Sequence, residues 1–228
     1  AVYKVNQSDV NANKHISILE DWSGLDPNEV VKNGNPQLTL NTGVQNSLLN
    51  ALTKGPNNRW GIDSLIDKST MRYPDKDGKI LIPNYSFVRA HDSEVQGIIG
   101  KILTDHTSAE SGNKFTKDQL KQALDYYYAD QDKTVKEYSH YNMASAYAAL
   151  LTNKNTIPRV YYGDMYKDND SYMTSKTNEF DSIDALLKAR IKYVSGSQEM
   201  GVDTKHQDVL TSVRSGNSRT EGIGVIIS

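Results

Sequence analysis

Short apolar runs that stop at acidic residues alternate in this chain with stretches of helical period, and this alternation constrains the fold more than any other feature. His15-Ile-Ser-Ile-Leu19 is apolar at alternate positions and passes directly into Glu20-Asp21-Trp22, which reads as a strand ending in acids. A helix follows with Val44, Leu48, Leu49 and Leu52 on one face, and Gly55-Pro-Asn-Asn58 stops it. The stretch 54–80 is loop-rich. A second strand from Ile80 to Ala90, interrupted near Pro83, ends in His91-Asp92, after which Val95, Ile98, Ile99, Ile102 and Leu103 form a helical stripe. Thr116-Lys-Asp-Gln119 fits a capping box that opens a helix with Leu120, Ala123, Leu124, Tyr127 and Tyr128 on one face. Met143, Ala146, Tyr147, Leu150 and Leu151 mark another helix. Ile157 to Tyr162 reads as a third strand closed by Gly163-Asp164, and a helix over about 182–194 uses Ile183, Leu186, Leu187 and Ile191 before Gly196 ends it.

After Gly201 the period changes to two runs, Val209 to Val213 and Ile223 to Ile227, separated by Ser215-Gly-Asn-Ser218, which predicts antiparallel strands. Parallel strands alternating with helices, with polar groups at the strand C-termini, is the arrangement of a (β/α) barrel, whose reactive groups sit on the loops after the strands. The expected class is therefore α/β: part of a (β/α)8 TIM-type barrel over residues 1–200, followed by the start of an antiparallel β domain over 201–228. Three or four strand units fall short of the eight a barrel needs. Gly222 to Ser228 reads as a buried strand that stops without a cap, so the chain is expected to be a fragment.

Composition removes several functions. Among 228 residues, 26 Lys+Arg stand against 28 Asp+Glu, a formal net charge of −2, and the scattered basic residues give no footprint for a nucleic-acid partner. With no cysteine there are no disulfides, thiolate zinc sites or cysteine nucleophiles, and the redox compartment stays open. No apolar run approaches the roughly 18 residues of a membrane span. The five histidines include no His-Glu-x-x-His pair, so no transition-metal centre is expected. Asp75-Lys-Asp-Gly78 reads as a turn, because a calcium loop would place its glycine later and add a bidentate glutamate. Phosphate-binding, dinucleotide-binding and serine-elbow motifs are missing too, which leaves carboxylate chemistry.

Glu20 and Asp92 both end strand candidates and would face one mouth of a barrel. Retaining glycosyl transfer needs one carboxyl as acid and base, a second as nucleophile, and further ionised groups around the sugar. Each residue also has a bland reading. Asp92 is equally well placed as a helix N-cap. Glu20 has no capping duty and is costly to bury unpaired. Trp22 admits a core position, and Gln96 an exposed place on a helix.

At these residues the sequence resembles the glucansucrases, dextransucrase-like glucosyltransferases that are circularly permuted relatives of the α-amylases. Asn13-Lys-His-Ile-Ser-Ile-Leu-Glu-Asp-Trp22 is similar to the family's acid/base motif, and Phe87-Val-Arg-Ala-His-Asp-Ser-Glu-Val-Gln96 to its transition-state-stabiliser motif. Tyr141 to Tyr147, Leu151 to Lys154, Pro158 to Met165 and Leu187 to Val194 also look like family sequence, so the resemblance covers essentially the whole chain.

The resemblance implies that Glu20 is the general acid/base and that Asp92 stays ionised to hold the distorted glucosyl ring. It implies that His91 donates a hydrogen bond to that ring, that Trp22 stacks on the acceptor sugar, and that Gln96 binds acceptor hydroxyls. Ser93-Glu94-Val95 is similar to the version in enzymes that make mainly α-1,6 linkages, and Trp22 favours sucrose over starch-like donors. The implied partners are a sucrose donor and an α-glucan or oligosaccharide acceptor, and the implied location is secreted and extracellular. The family's aspartate nucleophile lies on the strand before the acid/base strand, outside this chain, since Asp9 sits in a polar context. The ligands of the family's structural calcium ion also lie outside. These residues alone are thus expected to be inactive. Two alternatives remain: an amylase-clan hydrolase or glucanotransferase, and a non-catalytic carbohydrate-binding module in which 14 tyrosines and 2 tryptophans supply stacking faces.

Overall fold

A computed structural model describes residues 18–20, 22, 31–32, 35–36, 38–55, 57, 59–67, 84–169, 171–203, 205–206 and 208–228. The readings of Asp9, Asp21, Asp75-Lys-Asp-Gly78 and the part of the second strand that includes Pro83 lie outside these residues.

Four parallel strands form the centre. β1 (Ile18–Leu19) pairs with β4 (Leu38–Thr39), Ile18 facing Leu38 and Leu19 facing Thr39. β5 (Asn84–Phe87) pairs with β6 (Thr156–Arg159), in register from Asn84–Thr156 to Phe87–Arg159. A parallel bridge between Leu40 and Tyr85, with the Asn41 N–H donating to the Tyr85 carbonyl at 2.9 Å, joins the two pairs in the order β1-β4-β5-β6. These four strands lie side by side in chain order, with helices in the connections after β4 and after β5. The expected β/α alternation is present, and the described residues form no closed barrel. A small antiparallel pair, β2 (Val31–Lys32) with β3 (Asn35–Pro36), lies in the connection between β1 and β4.

The helices follow the predicted stripes. The Asn41 side chain accepts from the Val44 N–H at 3.0 Å and so caps α1 (Thr42–Leu48). α1 runs on into a π-helical turn, Leu49–Thr53, and Val44, Leu48, Leu49 and Leu52 are all buried. After the short α2 (Ser64–Asp67), α3 (Gln96–His106) packs on α4 (Lys117–Gln131) through Ile99, Ile102, Leu103, Ala123 and Tyr127. α4 opens with the predicted capping box: the Gln119 N–H donates to Thr116 Oγ1 at 3.3 Å, and the Thr116 N–H to Gln119 Oε1 at 2.8 Å. α5 (Met143–Thr152) buries Met143, Ala146, Tyr147, Leu150 and Leu151 in the main core, each large aliphatic side chain contributing about 1.5–3 kcal/mol.

Two expectations are corrected. The third strand stops at Arg159, and Tyr162–Met165 forms the short helix α6. That helical turn carries Asp164 inward against Arg89, where a continuing strand would have alternated faces. In α7 (Phe180–Tyr193), Ile183 is buried but Ile191 is 85 % exposed. The neighbouring Arg190 donates to the Leu151 carbonyl and takes the inward position.

The C-terminal residues form an antiparallel sheet, β7 (Gln198–Val202), β8 (Leu210–Arg214) and β9 (Ile223–Ile227). The second and third were expected; β7 was not assigned from the sequence, and it runs across position 200. Leu210 and Ile227 join the α5 core, and Arg214 donates to the carbonyls of Thr152 and Gly196, both at 3.0 Å. Gly196 has φ +78°, and a Cβ there would lie 2.1 Å from the Gly216 carbonyl oxygen, so the approach of the two chains at this corner requires glycine.

Candidate active site

Because β1, β4, β5 and β6 are parallel, their C-terminal ends open on one side, and the motif residues stand there. Glu20 follows β1 directly and is exposed. Trp22 Nε1 donates to Glu20 Oε1 at 3.4 Å, a long contact that orients the carboxylate without burying it. The Trp22 ring meets Phe87 of β5 edge-on, centroids 6.0 Å apart at 80°. This contact ties the segment after β1 to the strand that leads into the second motif. Trp22 remains 41 % exposed, so it is not a core residue of the described structure.

β5 ends at Phe87, and after Val88, Arg89 and Ala90 the chain enters a π-helical turn, His91–Val95. His91 Nε2 and Asp92 Oδ1 lie 2.8 Å apart, both side chains well exposed. Asp92 is inside this turn; α3 has Val95 at its N-cap with no side-chain cap bond, so Asp92 does not cap α3. Ser93 and Glu94 belong to the same turn, and their side chains lie outside the described residues. Gln96 opens α3 and is exposed. Gln96 and His91 share the wall of a cavity of about 730 Å³ between α3, α4 and the segment around α6.

Beneath this rim lies a buried polar cluster. Arg89 forms an ion pair with Asp164, and the two side chains are 2 % and 0 % exposed. Arg89 Nη1 also donates to Tyr127 Oη at 2.6 Å, Tyr147 Oη donates to Asp164 Oδ2, and Thr177 Oγ1 donates to the Asp164 carbonyl. Burial works against the Arg89 charge, yet Asp164 and Tyr127 together hold its proton more tightly than in water. Burial, then the Asp164 carboxylate, push the Tyr147 hydroxyl well above its ordinary range. Nearby, burial pushes His140 down to about 3, with the positive charges of Arg89 and Lys54 acting in the same direction. Arg159 stacks its guanidinium 4.7 Å over Phe87, the aromatic partner of Trp22.

This cluster was not predicted. A signal existed: an arginine two residues past an apolar strand must find an anion if it is buried. Asp164, 75 residues away, carried no local mark of being that anion. Among the described residues, no three His, Asp or Glu side chains gather to hold a metal ion.

Exposed carboxylates, a histidine and an indole thus gather at the ends of parallel strands, over a buried ion pair, in a protein of the β/α class. A match to glycosyl hydrolase family 70 spans residues 1–224, and the chain belongs to this family, that of the glucansucrases. The glucosyltransferase-I of Streptococcus downei is 40% identical over 242 residues, covering 100% of this chain and 15% of that protein. Truncated alternansucrase from Leuconostoc mesenteroides is 42% identical with a TM-score of 0.81, over 96% of this chain and 23% of that structure. Alternansucrase in complex with isomaltononaose is 41% identical, again with a TM-score of 0.81, over 96% of this chain and 21% of that structure. The chain thus spans about 15% of the length of the curated relatives it matches.

Proposed function

We propose that these residues supply the acid/base and transition-state half of a retaining glucosyltransferase active site, which moves glucose from sucrose to an α-glucan, mainly through α-1,6 bonds. The observation that carries the reading is the parallel strand series, with Glu20 after β1 and Asp92 after β5 on its C-terminal side. Glu20 protonates the fructosyl oxygen as the glycosidic bond breaks and an aspartate outside this chain captures the glucosyl carbon. Glu20 then removes the proton from the incoming sugar hydroxyl as that oxygen displaces the aspartate. Asp92 and His91 hold the ring while positive charge builds, an interaction stronger in the transition state than in the ground state. Trp22 offers its exposed face to the acceptor, Gln96 its amide to acceptor hydroxyls, and Ser93 and Glu94 bias which hydroxyl attacks.

Alternansucrase bound to isomaltononaose supports an α-glucan acceptor for this chain as well. We further propose that the parallel strands are a circularly permuted part of a (β/α)8 barrel, that β7–β9 begin a β domain, and that the enzyme is secreted. The calcium ion implied by the resemblance is assigned to residues outside the chain. In the enzyme that contains these residues, Glu20→Gln should abolish fructose release from sucrose and leave the thermal unfolding midpoint unchanged. Undiminished fructose release would refute the catalytic reading. Turnover of maltodextrin in place of sucrose would move the protein to the α-glucan hydrolases and glucanotransferases.

A further inference from the structure

The loop after α6 carries a feature that the reaction at Glu20 and Asp92 does not use. Tyr162 stacks on Tyr166, centroids 5.4 Å apart at 26°, and also on Tyr172, 5.4 Å apart at 4°. Tyr162 and Tyr166 line the cavity whose wall also includes His91 and Gln96. Tyr172 lies outside the cavity lining and is 80 % exposed. The three rings therefore run from the cavity that touches the acceptor side of the candidate site to open surface.

An exposed tyrosine is ordinary, but one held rigid is not. The loop is closed at its base by Thr177 N–H to the Met165 carbonyl at 2.9 Å and Lys167 N–H to the Ser175 carbonyl at 2.8 Å. Asn169 Nδ2 donates to Ser175 Oγ at 2.6 Å across it. Met173 has φ +56°, a left-handed backbone that a side chain with a Cβ rarely adopts, and its N–H donates to Tyr162 Oη at 2.9 Å. Backbone strain of this kind, about 1–3 kcal/mol, persists where the surroundings enforce it and gathers at ligand-binding sites. Here it fixes the residue beside Tyr172 to the ring on which Tyr172 lies.

We infer that Tyr172, backed by Tyr162, forms a platform for a pyranose ring of an α-glucan, a second sugar-binding position remote from the scissile bond. The outer face of Tyr172, held against Tyr162, presents an electron-rich surface to the C–H face of a sugar and a phenolic hydroxyl to its oxygens. Asp168 and Asn113 in the adjoining cavity supply further polar groups. The occupant follows from continuity: a chain held at His91 and Gln96 can run along the tyrosine-lined cavity and meet the platform. The inference rests on the glucosyltransferase reading for the chemical class of ligand.

The test uses the complete enzyme carrying Glu20→Gln, so that bound glucans are not turned over, with isothermal titration by isomaltononaose and by isomaltose. Adding Tyr172→Ala should weaken isomaltononaose at least fivefold and leave isomaltose unchanged, and Tyr172→Phe should retain most of the affinity. Unchanged isomaltononaose affinity in folded Tyr172→Ala protein would overturn the platform. A lowered unfolding midpoint with unchanged glucan affinity would overturn it equally, by assigning Tyr172 to an internal contact of the larger protein. Sucrose turnover by the enzyme with Glu20 intact is measured separately, so failure of the glucosyltransferase reading is distinguishable from failure of the platform.

Discussion

The rim and the buried cluster carry the same kinds of residue to opposite ends. On the rim, Glu20, His91 and Asp92 are exposed, and they contact near neighbours in sequence: Trp22 for Glu20, and each other for the two at the end of β5. In the cluster, Arg89 and Asp164 are buried and joined across 75 residues, with Tyr127 bonded to Arg89 and Tyr147 and Thr177 bonded to Asp164, while Arg89 Nε has no partner among the described residues. Exposed charges in loose pairs contribute little to stability and are free to meet a substrate. Buried charges paired with each other are committed to the fold, and they fix the ends of the elements that present the rim. Position rather than residue type separates the exposed carboxylates at the strand ends from the buried, structural one.

The largest effect should come from breaking the cluster. Asp164→Ala leaves Arg89 buried without its anion and should lower the unfolding free energy by about 3–5 kcal/mol in denaturant titration. Arg89→Met combined with Asp164→Leu should recover most of that loss, because neither charge then remains. If Asp164→Ala were neutral, the division between rim and cluster would fail. Asp92→Asn should do the reverse: unfolding unchanged, and kcat for sucrose lowered about 10²–10³-fold in steady-state assays. Equal loss of stability in this variant would make Asp92 structural after all.

A smaller effect tests the border between the two regions. His140 has its folded pKa depressed from 6.5 to about 3. Between these values the unfolded chain binds a proton that the folded chain refuses, so stability falls as pH is lowered through that window and is unaffected by this group above it. His140→Gln should flatten the dependence, as urea unfolding at pH 7, 5 and 4 would show. An unchanged slope would place the titration elsewhere.

These contrasts also explain what the sequence could and could not reveal. Helices were legible because stripes such as Val44, Leu48, Leu49 and Leu52 repeat at the period that buries one face. The capping box at Thr116 was legible because it is local. β4 was not, since two residues, Leu38 and Thr39, carry no periodicity, and their strand exists through pairing with β1. β7 was hidden by Gln198, Glu199 and Gly201, which owe their strand to β8. The rim residues stood out through their motif, whereas the Arg89–Asp164 pair depends on a tertiary meeting that no spacing encodes.

The proposed chemistry depends above all on Glu20 acting as a proton donor and acceptor. The most direct measurement is pre-steady-state fluoride release from α-glucosyl fluoride by the complete enzyme with Glu20→Gln. Fluoride leaves without protonation, so the first step needs no acid, while the second still needs the base. A proton-transferring Glu20 should give a burst of about one fluoride per enzyme followed by slow turnover, with sucrose cleavage lowered about 10²–10⁴-fold. Equal loss of both donors with no burst, or undiminished turnover of both, would contradict it.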